Sequence, residues 1–155
     1  MGFRPLSETL LYDPSILDYP CELAPEVDFF SFGTNDLVSL MYGISRGDAY
    51  DKYLSRYLKD KIILEDPFFV LPQHIIQKIK EFCLKAKAMN PNLTVDICGE
   101  QAIYTDLSSL VDSGALDAVS IGTENLPLLV KSLMHSGILE LPLYSYSNIN
   151  KKSVG

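Results

Sequence analysis

Two stretches of this chain end alike, and each ends in residues that could do chemistry. In the first, an apolar run from Val27 to Phe32 stops at Gly33 and gives way to Thr34, Asn35 and Asp36. In the second, Leu93 to Ile97 leads into Cys98, Gly99 and Glu100. Both read as a buried strand closed by a glycine turn. After the first turn, Leu37, Leu40, Met41 and Ile44 fall at i, i+3, i+4 and i+7, the spacing of one helix face. A carboxylate and a thiol therefore stand at the C-terminal ends of two strands, where parallel α/β sheets and barrels bind their ligands. They could face one pocket.

The residue types set the chemistry, and each leaves a second reading open. Asp36 suits Mg²⁺, which takes a few oxygen ligands and fills its shell with water and substrate oxygens. Thr34, Asn35 and Asp36 are equally the short oxygen-bearing side chains that cap helix starts. Cys98 suits proton transfer, because a thiol titrates near enough to neutrality to give and take a proton. A free cysteine is as often a small buried hydrophobe. Arg46 follows Asp36 by ten positions. Its planar fork fits a phosphate, and it also serves as a helix C-terminal cation. Cys83, on an apolar helix face, reads as core; His74 and His135 have no neighbouring ligands and read as ordinary helix residues. No glycine-rich phosphate loop and no GxSxG, HExxH or paired-cysteine pattern occurs.

The elements that position these groups follow from periodicity. Residues 1–26 hold Pro5, Pro14, Pro20 and Pro25 and no sustained period, so an irregular arm is expected there, with a short helix near Ser15 to Leu17. A short helix is expected over 51–58. From Gln73 to Met89 the residues Ile75, Ile76, Ile79, Phe82, Cys83 and Ala86 share one face, and Asn90-Pro91-Asn92 ends the helix. After the second strand a short helix capped by Thr105 runs to Gly114. A third strand spans 118–121, and a last helix capped by Asn125 runs to His135. Strand and helix alternate three times, which implies a parallel α/β arrangement.

Composition bounds the rest. The chain has 155 residues, 47% hydrophobic and 21% charged, enough for one domain with a core. A net charge of −7 argues against a nucleic-acid surface, which would be basic. No apolar run approaches the ~18 residues of a membrane span. Three cysteines at unrelated spacings give neither a disulfide framework nor a zinc signature, so reduced thiols and a cytoplasmic setting are expected.

The two stretches together also carry a family resemblance. FFSFGTNDL, then Arg46, then ICGE at 97–100, resemble the C-terminal domain of the phosphoenolpyruvate-utilising enzymes, and within them the pyruvate, phosphate dikinase family. The long segment 47–73, with Asp66-Pro67-Phe68, is similar to the dikinase version. The resemblance implies a (β/α)8 barrel, of which residues 27–137 would form about the last three βα units. It implies that Asp36 binds Mg²⁺, that Thr34, Asn35 and Arg46 hold phosphoenolpyruvate or pyruvate, and that Cys98 is the acid/base at C3 of enolpyruvate.

The departures from that pattern shape the expectation. The family carries a metal-binding glutamate on the preceding strand; no such strand is expected in residues 1–26, where Glu8 and Glu22 lie in the wrong context. Dikinases continue the cysteine motif as Cys-Gly-Glu-His and glycines, whereas Gln101-Ala102-Ile103-Tyr104 stands here. The carrier-histidine and ATP-grasp domains are missing. A barrel needs ~250 residues and eight strands, and three strands cannot close one. The chain is therefore expected to be a barrel fragment unable to run the full phosphotransfer alone, followed by a tail over 138–155. Its open edges would call for a homo-oligomer or a complementing barrel chain. The other reading is a non-catalytic truncated paralogue that serves as a binding or assembly module.

Overall fold

The computed structural model describes residues 7–45, 47 and 53–139. Among these, four strands form one parallel sheet in chain order: β1 (Glu8–Leu11), β2 (Phe29–Gly33), β3 (Thr94–Cys98) and β4 (Ala118–Ser120). Helices connect them: α1 (Pro20–Leu23), α2 (Thr34–Tyr42), α3 (Ser55–Lys59), α4 (Gln73–Met89), α5 (Gln101–Tyr104), α6 (Ser108–Asp112) and α7 (Leu126–His135). The expected α/β class and parallel sheet hold.

Strand alternation divides the sheet into two unlike faces. Phe30 and Phe32 of β2 turn toward α4, where both meet Phe82 edge-on, with ring centroids 5.4 and 5.7 Å away. Leu11, Val95 and Ile97 are buried with them. The six α4 residues expected on one face are the six that are buried, which fixes this helix as the main cover of the sheet. The opposite face carries Leu10, Ser31, Asp96 and Ala118 in register. There Leu10 is 47% exposed. One face is packed and the other is partly open.

Several local expectations are corrected. Residues 8–11, placed in an irregular arm, form β1; four residues with mixed burial give no readable period, and parallel pairing with β2 is what orders them. The sheet thus has four strands rather than three. The short helix near Ser15 is a 3₁₀ turn over Pro14–Asp18, capped by Asp13. Helix α2 stops at Tyr42 because Gly43 takes the left-handed conformation at φ 64°, with Ile44 donating back to Ser39. Arg46, expected near the end of that helix, lies outside the described residues. Thr105 does not cap the start of α6, which follows Leu107; it is instead the C-cap of α5, its amide and hydroxyl both donating to the Gln101 carbonyl. Asn125 stands at the start of α7 without a capping bond from its side chain.

Cys83 tests the packed face by titration. Burial pushes its thiol up to about 12, with Lys87 opposing and Asp117 adding to the shift. Below the ordinary thiol value both states are protonated; above it the unfolded chain releases a proton that the folded chain keeps. Stability contributed by this thiol is thus complete below about pH 9 and falls as pH rises toward 12. Urea unfolding should show a lower midpoint at about pH 10 than at about pH 8, with the difference reduced in Cys83→Ala.

Candidate functional site

The C-terminal end of the sheet is where the chemistry gathers. Gly33 pairs with Cys98, and Cys98 with Ser120. On the β1 side Tyr12 follows Leu11, and a Cβ on Gly33 would lie 3.6 Å from the Cβ of Tyr12. Tyr12, Gly33, Cys98 and Ser120 therefore form one row at the rim of the open face. One row lower, Asp96 is 2% exposed and accepts from Ser31 Oγ at 3.0 Å and from Ser120 Oγ at 3.1 Å. Both carboxylate oxygens are engaged across three strands.

Thr34 and Cys98 are tied together. The Thr34 hydroxyl donates to the Cys98 carbonyl at 3.1 Å, and the half-buried Cys98 thiol donates to the Phe32 carbonyl at 3.3 Å. Gly99 makes this approach possible. Its φ is 136°, and an added Cβ would stand 2.6 Å from Thr34 Oγ1 and 3.7 Å from both Asn35 Nδ2 and Gln101 Oε1. Gly99→Ala is expected to cost about 1–3 kcal/mol, because strain and collision act on one backbone position. Thermal unfolding of that variant, beside Gly137→Ala as a positive-φ control with open space around it, checks the claim.

The cap reading of this loop does not survive. Gly33 is the N-cap of α2, and no side chain closes it. Thr34 is spent on β3, and Asn35 Oδ1 is buried without a partner among the described residues. Asp36 sits exposed in the first turn of α2, where the helix dipole favours a negative charge. Thus Thr34, Asn35 and Cys98 converge on Gly99, and Asp36 follows them on the helix. Sequence reasoning passed over Asp96 and its serines. The available signal was a charge inside an apolar strand, Val95-Asp96-Ile97, with a serine between apolar residues in each flanking strand.

Comparison with known proteins bears on this constellation. The family described as "PEP-utilising enzyme, PEP-binding domain" matches residues 14–137. The chain belongs to this PEP-binding domain family. A chloroplastic pyruvate, phosphate dikinase of Flaveria pringlei is 44% identical over 108 residues, 69% of this chain and 11% of the relative. The pyruvate, phosphate dikinase of Rickettsia bellii is 38% identical over the same length, 12% of that protein. The chain spans little more than a tenth of the length of the relatives it matches.

The PEP-binding domain must be tested for the Mg²⁺ its resemblance implied. Among the described residues no three His, Cys, Asp or Glu side chains gather as a metal site. The strand before β2 exists, but its rim residue is Tyr12. Glu8 lies at the opposite end of β1, and Glu22 is exposed on α1. Asp13 is occupied by the Ser15 amide and hydroxyl, which hold its carboxyl below the usual range. Among the described residues of these two loops the carboxylates are exposed Asp36 and exposed Glu100, and the buried Asn35 Oδ1 has no partner. That set fits Mg²⁺ only in a shell that substrate oxygens and water complete.

Proposed function

We propose that this chain is a phosphoenolpyruvate/pyruvate-binding piece of a pyruvate, phosphate dikinase-type barrel. The observation that supports it most is the register of β2 with β3, which sets the Thr34-Asn35-Asp36 loop beside Cys98. Four parallel strands run in unbroken chain order, and the right-handed crossover that such connections follow as a rule places the connecting helices on one face, as in the wall of a barrel. The open face would then be the barrel interior.

Asp36 would hold Mg²⁺ and Asn35 would orient the substrate; Arg46 is assigned to the phosphate on the resemblance alone. Bound there, Mg²⁺ would supply positive charge against the substrate oxygen that gains electron density as C3 loses a proton. Cys98 performs the proton transfer: its thiolate takes the C3 proton of pyruvate, and the C–H electron pair moves into the C2–C3 bond. In the other direction the thiol returns the proton. The Phe32 carbonyl accepts from the S–H and orients it. Proton transfer alone is proposed for these residues; none is assigned to the phosphoryl-transfer half of the reaction.

A second reading follows from the open face. Leu10 and Tyr12 are each 47% exposed on it, and among the described residues β1 and β4 are its outer strands. A second copy or a chain carrying the other barrel strands would cover both, and the protein would then serve as a binding or assembly module. Exchange of pyruvate methyl protons with solvent deuterium decides between the two. Mg²⁺-dependent exchange by the purified chain supports the catalytic reading. A folded chain that exchanges nothing with Mg²⁺ present makes Asp36 and Cys98 inherited scaffold.

A further inference from the structure

The loop that follows Cys98 is held from outside the sheet. Gln101, at the start of α5, is 0% exposed and donates from Nε2 to the Pro67 carbonyl at 2.8 Å. One turn later Thr105 Oγ1 donates to the Gln101 carbonyl at 2.7 Å and accepts from the Leu71 amide at 2.9 Å. Tyr104 of the same turn stacks on Phe69, centroids 4.0 Å apart and planes 21° from parallel. Three fastenings thus join α5 to residues 67–71. That segment is itself rigid: Asp66 takes the Phe68 amide on its side chain and the Phe69 and Val70 amides on its carbonyl.

The Gln101 amide is only half used. Its Oε1 is buried without a partner among the described residues, so a residue kept for stability alone would do better as an apolar side chain of the same length. The half that is used reaches across to Pro67. Between Gln101 and Cys98 lie only Gly99, at φ 136°, and Glu100. The sheet side of this loop is held by the Thr34 hydroxyl on the Cys98 carbonyl and by the Gly99 amide on the Ser120 carbonyl at 3.3 Å; Gln101 fastens its other side.

We propose that Gln101 is a positioning residue for Cys98, bolting the loop after the thiol to the 66–71 segment. The role assigned to Cys98 rests on the function proposed above, but the positioning is read on the thiol itself. Alkylation by iodoacetamide at each cysteine, followed by peptide mass spectrometry, gives the Cys98 rate relative to exposed Cys21 in the same molecule. Gln101→Met keeps the length and removes the donor. In a variant whose thermal unfolding matches the wild type, the Cys98:Cys21 ratio should rise about fivefold, the opening expected from one net hydrogen bond; a ratio within about twofold of wild type overturns the proposal.

Gln101→His keeps a donor and should restore the wild-type ratio; failure to restore it also overturns the proposal. Should Gln101→Met not fold, Phe69→Ala loosens the same fastening at its half-exposed end. It should raise the ratio too, and an unchanged ratio in folded Phe69→Ala overturns the proposal. These readings stand whether or not the chain exchanges pyruvate protons, so a failure of the proposed function and a failure of the positioning are separable.

Discussion

Phe82→Ala is expected to destabilise the chain by about 3–5 kcal/mol, the range for truncating a buried aromatic. Phe82 is buried on α4 and meets two rings at once, Phe30 and Phe32 of β2, both edge-on. Its removal leaves a cavity between the longest helix and a central strand, with rigid rings on one wall that cannot collapse inward. Edge-to-face pairs add a fraction of a kcal/mol to about 1.5 each beyond burial. A domain of this size holds about 5–15 kcal/mol in total, so the variant should be partly unfolded at ordinary temperature. Leu84→Ala, two residues on and 41% exposed, should shift stability by no more than about 0.5 kcal/mol. Urea titrations of the two variants test the contrast. Equal midpoints would mean that α4 does not cover the sheet through this face.

Cys98→Ala is expected to lower Mg²⁺-dependent exchange of pyruvate methyl protons by about 10²–10⁴-fold, the usual worth of a positioned acid/base. The thiol is half-buried and donates a weak bond to the Phe32 carbonyl, so the fold should survive its loss. Retained circular dichroism with lost exchange would separate chemistry from structure. Exchange that persists in Cys98→Ala would move the proton transfer to another group and remove the thiol from the proposed mechanism.

How much of this was legible in the sequence depended on where the ordering force lay. Helix α4 was readable because its six core residues repeat at helical spacing over 17 residues. The ends of β2 and β3 were readable because an apolar run stops at a glycine in each. Strand β1 was not: Glu-Thr-Leu-Leu has no alternation, and its order comes from a partner strand across an intervening turn and helix. Thr34, Thr105 and Asn125 have the side chains of helix N-caps, yet none closes the start of a helix with its side chain. Two of the three hydroxyl or amide groups found better partners at a distance, Thr34 on β3 and Thr105 on Leu71, and local propensity cannot see such partners. The Asp96 cluster was hidden for the same reason, since its serines come from two other strands.

The unbroken strand order has a consequence for how the molecule assembles. Residues 12–28 join β1 to β2, and residues 99–117 join β3 to β4, so each of these pairs closes a modest loop. The central pair, β2 with β3, must instead bring together segments separated by residues 34–93. Loop-closure entropy rises with the length of intervening chain, and it is lost before the new contacts form. The two outer pairs are therefore expected to form as local units, with docking along the β2–β3 seam as the slower event. That seam also carries Gly33 against Cys98, so on this expectation the candidate site forms late.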